Sequence, residues 1–264
     1  MKNKVVVITG ASKGIGAELA RQLAAKGARL VLAARNAGEL EAVAVQCRAA
    51  GATAITVKAD VALERDCHAI MSGAVLAFGG IDVLVNNAGA SMWARFEDIE
   101  DLSILERIMQ VNYMGAVYCT KHALPYLRAA RGVLVGVSSL AGRTGVPTRT
   151  GYCASKHAMT GFFDALRIEL ADSGVAVTMI YPGFVATGIR ENATGPDGKP
   201  ILVSPVKEGE VMGVEECARI IVAAIEARKR EVIMTARGKI GLWLKLLAPS
   251  LVDRIARRAI ERGR

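Results

Sequence analysis

The residues best suited to acid–base chemistry are Tyr152 and Lys156, in the segment Tyr-Cys-Ala-Ser-Lys. They are four residues apart at the start of a strongly helical stretch, so both project from one helix face, with the ammonium beneath the phenol. A free phenol has a pKa of about 10 and transfers protons poorly at neutral pH. Because a nearby ammonium stabilises the phenolate, the pair predicts a general acid–base tyrosine. The alternative interpretation is an ordinary pair on a helix surface, which has the same spacing.

Further polar residues fall where predicted strands end. Ser139 follows the predicted fifth strand, and Asn86-Asn87-Ala88-Gly89 ends the fourth. Ligands of parallel α/β sheets bind at the carboxyl ends of the strands, so Ser139 is expected to orient a substrate oxygen against Tyr152. Asn112 lies among apolar residues of a helix predicted over 101–127, where it is either functional or a satisfied helix-interior amide.

A cluster of glycines follows the first predicted strand. Thr9-Gly10-Ala11-Ser12-Lys13-Gly14-Ile15-Gly16 leads into a helix that begins near Ala17. Glycines at a strand-to-helix turn let the backbone approach a ligand, and the helix N-terminus offers amides to a pyrophosphate. The spacing is GxxxGxG rather than GxGxxG, and a tight turn alone also explains it. Its place after the first strand of an α/β pattern favours dinucleotide binding.

The end of the second predicted strand bears on which dinucleotide is bound. A carboxylate here accepts a hydrogen bond from the adenosine ribose in NAD-binding proteins. This chain has Arg35 instead, and Lys13 of the glycine turn is expected nearby. Two cations suit the 2′-phosphate of NADP, so NADP(H) is predicted over NAD(H). The alternative is that both are ordinary solvated side chains.

Short β-branched runs alternate with helical stretches along most of the chain. The runs are nearly continuous in hydrophobicity, as in parallel strands covered on both faces. They predict an α/β single-domain Rossmann fold over 1–236, with a doubly wound seven-stranded parallel sheet and helices on both faces. A Gly- and Pro-rich segment over 187–213 is predicted to be a lid loop. The predicted strands are Val5–Thr9, Leu30–Ala34, Ala54–Lys58, Ile81–Asn86, Val133–Ser138, Val175–Tyr181 and Glu231–Met234.

Composition excludes several classes of protein. Of the 264 residues, 52% are hydrophobic, which excludes a disordered or fibrous chain, and the net charge is +9. Five widely spaced cysteines without a CxxC pair argue against a disulfide framework or a zinc site, and no metal is predicted. The first apolar run is too short for a signal peptide, and no 18-residue apolar run exists. A cytoplasmic protein is therefore expected.

Taken together, the motifs resemble those of the short-chain dehydrogenase/reductase family, of the single-domain type. The resemblance covers roughly residues 4 to 235. Each motif is weak alone, but their order and spacing are jointly specific. They are TGASKGIG (9–16), NNAG (86–89), Asn112, VSS (137–139), YCASK (152–156) and PGFVAT (182–187).

The resemblance implies a role for each matching residue. Tyr152 would donate a proton to a carbonyl in reduction or accept one from an alcohol in oxidation. Lys156 would stabilise its phenolate and bind the nicotinamide ribose, and Ser139 would polarise the substrate oxygen. Asn112 would kink its helix and hold a water that relays protons to Lys156. The implied cofactor contacts are Gly10, Ser12, Lys13, Gly14, Ile15, Gly16, Arg35, Asp60, Val61, Asn87, Ala88, Gly89, Tyr152, Lys156, Pro182, Gly183, Val185 and Thr187.

The family also implies the strand order 3-2-1-4-5-6-7 and a homodimer or homotetramer, formed through the helices that carry Asn112 and Tyr152. Apolar side chains in the loops predict a hydrophobic substrate, although ordinary loop packing is nearly as good an interpretation. These side chains are Met92, Trp93, Phe96, Val146, Pro147 and Phe184.

The positive charge is concentrated after the last predicted strand. The segment 237–264 holds eight basic and two acidic residues, which leaves +3 for the rest of the chain. Its second half, after Pro249 and Ser250, has the spacing of a basic amphipathic helix. Similar extensions occur in family members resembling the hydroxysteroid dehydrogenases, some of them membrane-associated. Three interpretations of this helix are open: an anchor on a membrane surface, a subunit interface, or a flap packed over the substrate entrance. Packing on the protein or contact with a subunit is favoured slightly over contact with a membrane.

The leading hypothesis is an NADP(H)-dependent carbonyl reductase or alcohol dehydrogenase. An alternative from another class is a redox sensor that binds the dinucleotide without turnover, which the complete set of catalytic residues disfavours. Nucleic-acid binding is not expected, since only 5% of residues are aromatic and the charge lies at one end.

Overall fold

The computed structural model describes residues 1–202 and 211–261, and the side chains of all of these except 259–261. Part of the predicted lid loop (203–210) and the last arginines of the tail, Arg262 and Arg264, lie outside the described residues.

Seven parallel strands form one sheet, which confirms the predicted class. The strands are β1 (Val5–Thr9), β2 (Arg29–Ala34), β3 (Ala54–Lys58), β4 (Val83–Asn86), β5 (Val133–Val137), β6 (Ala176–Tyr181) and β7 (Glu231–Ile233).

The sheet has the order β3-β2-β1-β4-β5-β6-β7, as the family resemblance implied. Strand β1 lies between β2 and β4, so the connections leave it in opposite directions. A crevice therefore opens beyond the carboxyl ends of β1 and β4, which is where open α/β sheets bind ligands. The glycine turn after β1 and the Asn86-Asn87-Ala88-Gly89 segment of β4 meet there.

Helices cover both faces of the sheet. Helices α1, α2 and α7, defined below, pack on the face that contains Val6 and Ile8, while α3, α5 and α6 pack on the face that contains Val7. Neighbouring residues of a strand are therefore both buried, which explains the continuous hydrophobicity of the runs. The helices are α1 (Gly14–Ala25), α2 (Ala37–Ala49), α3 (Glu64–Phe78), α4 (Ser103–Met109), α5 (Gly115–Ala130), α6 (Thr150–Glu169), α7 (Val214–Glu226), α8 (Ala236–Leu247) and α9 (Pro249–Glu261).

The helix predicted over 101–127 is not one regular helix. Helices α4 and α5 are joined without a break by a wider turn of π type over Gln110–Met114. Asn112 lies in the middle of this turn and is buried. Such turns interrupt the regular hydrogen-bond ladder and are frequent at functional sites. The irregularity falls where the family resemblance predicted a kink.

Two further helices, α8 and α9, follow β7 and form the C-terminal extension. The side chain of Lys245 donates a hydrogen bond to the carbonyl oxygen of Arg143 at 3.0 Å, and Gly238 packs against Leu140. The inner side of α8 thus contacts the segment that follows Ser139. Among the described residues, no helix is long and apolar enough to cross a bilayer.

Gly132, just before β5, offers a test of the packing that positions this strand. A Cβ atom there would overlap the main-chain oxygen of Asp82, which accepts a hydrogen bond from Val133 at 2.9 Å. We expect Gly132→Ala to lower the free energy of unfolding by about 2 kcal/mol or more, because backbone cannot move aside cheaply. Urea denaturation measures the change.

The matched control is Gly161→Ala, in the exposed interior of α6. A Cβ atom at Gly161 meets nothing within 4 Å. Alanine is the better helix former, so this variant is expected to gain about 0.5–1 kcal/mol. Equal effects of the two substitutions would contradict the packing described for β5.

Candidate active site

The glycine turn after β1 has a conformation that requires glycine. Gly10 and Gly14 have positive φ angles of 66° and 53°. A Cβ atom at Gly16 would overlap the carbonyl oxygen of Gly10, and one at Gly10 would lie 2.8 Å from Cα of Ala88. The turn is thus packed closely against the end of β4, and its outer side remains lined by main chain. Since α1 begins here without an acidic residue in its first turn, the turn can approach a phosphate closely.

The segments after β1 and β4 are hydrogen-bonded to each other. The side-chain amide of Asn87 donates to the carbonyl oxygen of Thr9 at 2.9 Å. The hydroxyl of Thr9 accepts from the backbone N–H groups of Asn87 and Ala88 at 3.0 and 3.1 Å. These bonds hold the predicted cofactor contacts Asn87 and Ala88 beside the glycine turn.

The corner predicted to bind the adenosine holds one acid that the sequence argument missed. Lys13 forms an ion pair with Glu39 of α2, with 2.7 Å between Nζ and Oε1. Arg35 is exposed at the end of β2. Asp60, after β3, accepts from the backbone N–H of Ala62 at 3.0 Å. The sequence feature that could have pointed to Glu39 is its position in the first turn of the helix that follows Arg35.

Tyr152 and Lys156 lie in the first turns of α6, and both are buried. The Lys156 ammonium is 5.9 Å from the centre of the Tyr152 ring and donates to the carbonyl oxygen of Val137 in β5 at 2.9 Å. Burial, with a smaller contribution from the nearby Arg149 guanidinium, lowers the pKa of Lys156 to about 8. Lys156 is therefore fixed to the end of β5, and its ammonium loses its proton more readily than that of an exposed lysine.

The two serines that follow β5 have different environments. Ser138 is buried and donates to the carbonyl oxygen of Lys156 at 3.2 Å, which ties β5 to α6. Ser139 is half-buried, and its hydroxyl oxygen accepts from the backbone N–H of Ala141 at 3.2 Å. The Ser139 hydroxyl keeps its proton available for another acceptor. This difference favours Ser139 over Ser138 as the substrate-facing serine.

Asn112 uses its whole side chain within the protein. Its oxygen accepts from the backbone N–H of Ala90 at 2.7 Å, and its nitrogen donates to the Ala90 carbonyl and to the Ser155 hydroxyl, both at 2.9 Å. A Cβ atom at Gly89 would lie 3.3 Å from Oδ1 of Asn112 and 3.7 Å from Nζ of Lys156. Asn112 thus joins the end of β4 to α6 beside Lys156, and its predicted water-holding role stays a prediction.

The segment after β6 closes the crevice on the other side. The carbonyl oxygen of Pro182 accepts from the backbone N–H of Leu140 at 3.0 Å. Thr187 packs on the glycine turn, since a Cβ atom at Gly14 would lie 3.0 Å from its methyl group. The backbone N–H of Met212 donates to the carbonyl oxygen of Phe184 at 2.9 Å, which ties the end of the predicted lid to the segment just before its start. Gly183 and Val185 lie between these contacts.

Three of the six loop residues predicted to line a substrate pocket fall into two groups. Met92 and Val146 pack in one apolar cluster with Tyr152. Phe96 is 60% exposed and lines an apolar cavity of about 220 Å³ with Leu105, Met109 and the first turns of α6. Met92 and Val146 are therefore the better candidates for the substrate wall.

Arg149, one turn before Tyr152, was missed by the sequence argument although it is buried against the tyrosine ring. The available signal was a cation three residues before the tyrosine, a helical spacing that brings two side chains together. In the sequence it could not be told from the many exposed arginines.

Comparison with known proteins agrees with this arrangement. Residues 4–197 match the family model described as short chain dehydrogenase. The chain is 36% identical over 258 residues to the dehydrogenase/reductase SDR family protein 7-like of Dictyostelium discoideum, covering 96% of this chain and 80% of that one. It is 37% identical over 256 residues to the 11-beta-hydroxysteroid dehydrogenase-like 4A of Arabidopsis thaliana, covering 96% and 83%.

Two solved structures are similar over most of both chains. A short chain dehydrogenase/reductase from Burkholderia phymatum, in complex with NAD, superposes with a TM-score of 0.86 at 28% identity, covering 95% of each chain. An alcohol dehydrogenase from Thermococcus sibiricus, complexed with 5-hydroxy-NADP, gives 0.76 at 26% identity, covering 88% of this chain and 96% of that one. With this sheet order, glycine turn and tyrosine–lysine pair, the chain belongs to the short-chain dehydrogenase/reductase family of oxidoreductases.

Proposed function

We propose that the protein is an NADP(H)-dependent oxidoreductase that interconverts a carbonyl group and a secondary alcohol of a hydrophobic substrate, with Tyr152 as general acid and base. The observation that carries the proposal is the convergence of Tyr152, Lys156 and Ser139 where β5 ends, beside the crevice of the glycine turn. Family membership supports the reaction class.

The residues present fit a dinucleotide. Side chains on Gly10 or Gly16 would fill the space between the turn and the end of β4, so the chain keeps main-chain groups at the position where a pyrophosphate approaches a helix N-terminus. Gly14, Thr187 and Asn87 would surround the phosphates and adjoining ribose, with Asp60 and Val61 near the adenine. When bound, the nicotinamide supplies or accepts the hydride at its C4 atom.

The protein's own residues then handle the proton and the substrate oxygen. Ser139 would donate a hydrogen bond to this oxygen and hold it against the phenol of Tyr152. Tyr152 transfers the proton, and Lys156, fixed by the carbonyl oxygen of Val137, stabilises the phenolate that results. The apolar cluster of Met92, Val146 and Tyr152 excludes water from this transfer and supports a hydrophobic substrate.

Charge at the end of β2 supports a preference for NADP(H). Arg35 is exposed there, and Glu39 holds Lys13 at the same corner. A 2′-phosphate would be attracted by both cations, whereas Glu39 opposes it. We therefore propose that Arg35 makes the main contact and that Lys13 is shared between Glu39 and the phosphate.

The C-terminal extension supports contact with an anionic membrane surface. The outer side of α8 exposes Ile240, Trp243, Leu246 and Leu247 to the extent of 66 to 85%. Helix α9 adds cationic side chains, and a basic amphipathic arrangement of this kind lies on lipid headgroups. The five cysteines are free buried thiols, which supports a reducing compartment such as the cytoplasm.

We also propose a homodimer or homotetramer formed through the helices that carry Asn112 and Tyr152. Ile168 of α6 is 77% exposed, which supports contact at this face.

Removing the phenolic hydroxyl tests the reaction. Tyr152→Phe is expected to lower kcat about 100-fold or more, because the phenol is the group proposed to transfer the proton, while NADPH binding is nearly unchanged. NADPH consumption with a panel of ketones and the fluorescence of bound NADPH measure the two effects. Tyr126→Phe, at an exposed tyrosine, is the control. Wild-type protein that binds NADPH but reduces no ketone would favour the redox-sensor alternative.

Substitutions that change the charge of Arg35 or Glu39 test the proposed NADPH preference. Arg35→Ala is expected to lower kcat/KM for NADPH about tenfold, the effect of one charge-assisted hydrogen bond, with little change for NADH. Glu39→Gln releases Lys13 and is expected to lower the KM for NADPH. Initial rates with both cofactors measure these effects. Equal losses for NADPH and NADH in Arg35→Ala would contradict the assignment.

The surface of α8 is tested with vesicles. Full-length protein is expected to float with vesicles that contain phosphatidylserine and not with pure phosphatidylcholine. Trp243→Asp combined with Leu247→Asp is expected to abolish flotation, because both side chains would contact the acyl chains. Leu76→Asp, at a 91% exposed leucine of α3, is the control. If the double substitution leaves flotation unchanged, this surface is excluded as the membrane contact. If the double substitution instead dissociates a dimer, the surface is assigned to subunit contact.

A further inference from the structure

Arg149 is a buried cation in direct contact with the ring of the predicted acid–base residue. Its exposed fraction is 7%, similar to that of Tyr152. The guanidinium carbon lies 4.2 Å from the centre of the Tyr152 ring, closer than the Lys156 ammonium at 5.9 Å. Two positive charges therefore face one phenol, and the family motif accounts for only one of them.

The position of the guanidinium is fixed by several contacts. Nη2 of Arg149 donates to the hydroxyl of Ser91 at 2.5 Å, and the guanidinium carbon lies 5.6 Å from the Trp93 ring. The carbonyl oxygen of Arg149 accepts from the backbone N–H of Cys153 and so belongs to the first turn of α6. The cation cannot leave the ring without breaking these contacts.

No carboxylate neutralises this charge among the described residues. The ion pairs recorded over 1–202 and 211–261 do not include Arg149, and Nε of its guanidinium has no acceptor there. A buried cation without a counter-ion destabilises a fold unless it interacts with another charge. The adjacent group that becomes negative during the proposed reaction is the phenol of Tyr152.

The other groups around the phenol cannot take over this role at every pH. Lys156 has its pKa lowered to about 8, so its charge is lost progressively above neutral pH. Burial raises the pKa of the neighbouring Cys153 thiol, which keeps it uncharged. A guanidinium stays protonated throughout this range. Arg149 and Lys156 face the Tyr152 ring, and Cys153 packs in the same cluster as the tyrosine. Lys245 adds a further positive charge that acts on Cys153.

We propose that Arg149 is a positioning residue for the acid–base step: its guanidinium, held on the Tyr152 ring by Ser91, stabilises the phenolate independently of the protonation of Lys156. This inference rests on the proposed function of Tyr152 but concerns a residue outside the family motif. In alkaline solution Arg149 becomes the principal charge that faces the phenolate, because Lys156 is then largely neutral.

The test measures the ionisation of Tyr152 directly and needs no substrate. Ultraviolet absorbance follows phenolate formation with pH in the cofactor-free protein, and the difference between each protein and its Tyr152→Phe counterpart isolates this tyrosine. Arg149→Met, which keeps the apolar stem, is expected to move the titration midpoint about one pH unit higher, a tenfold smaller phenolate population at a given pH. Arg149→Lys keeps a charge and is expected to lie between the two.

Controls separate this effect from loss of structure. Arg29→Met removes a similar cation, 5.6 Å from the Phe78 ring and far from the site, and is expected to titrate as wild type. Thermal unfolding and NADPH fluorescence show which variants are folded. A folded Arg149→Met protein with the wild-type midpoint overturns the proposal. If that variant does not fold, an Arg149→Lys protein that titrates above the wild type supports the proposal, and a folded Arg149→Lys protein with the wild-type midpoint overturns it.

Turnover gives a second readout. With NADP⁺ and cyclohexanol, the acid limb of the kcat profile is expected to move to higher pH in Arg149→Met by the same amount as the titration midpoint. A uniform fall in kcat with an unshifted profile indicates a purely structural role and overturns the inference. Absence of turnover by the wild type would instead count against the proposed function, and the absorbance titration would still decide the role of Arg149.

Discussion

The burial of positive charge at the end of β5 is the constraint on which the rest of the site depends. Lys156 is held by one main-chain carbonyl, that of Val137, and burial lowers the pKa of its ammonium. Ser138 fixes the same turn of α6 to β5, and Asn112 fixes the end of β4 to Ser155. These bonds satisfy polar groups that would otherwise be buried without partners, and so they set the geometry around Tyr152, where Nε of Arg149 is left without an acceptor among the described residues.

Much of this fold follows from local sequence pattern. The seven strands were predicted to within two residues at each end, because runs buried on both faces are continuously hydrophobic. The order of the strands came from family resemblance, since periodicity does not say which strands are neighbours. Glycine spacing predicted the turn after β1, and the structure gives its reason in the contact between Gly10 and Ala88.

The parts that sequence did not predict depend on contacts between distant segments. Arg149 is one arginine among many until Ser91 and the Tyr152 ring enclose it. Glu39 becomes relevant only because its helix turns it towards Lys13. The wider turn at Asn112 follows from no local pattern, because its residues continue a helical one, and only the family resemblance implied an irregularity there. In each case a long-range contact decides the role of a residue whose local pattern is ordinary.

The wider turn over Gln110–Met114 also limits how this chain can change in evolution. A turn of this type accommodates one residue more than a regular turn between the same ends. Deleting one residue there would restore regular winding between the same ends, whereas inserting a further residue would rotate α5 by about 100° relative to α4. Ile104 and Ile108 would then lose register with Ala116 and Cys119, which pack in a different cluster. An insertion at Asn112 would therefore misalign the two halves of this helix, whereas a deletion would remove the wider turn itself.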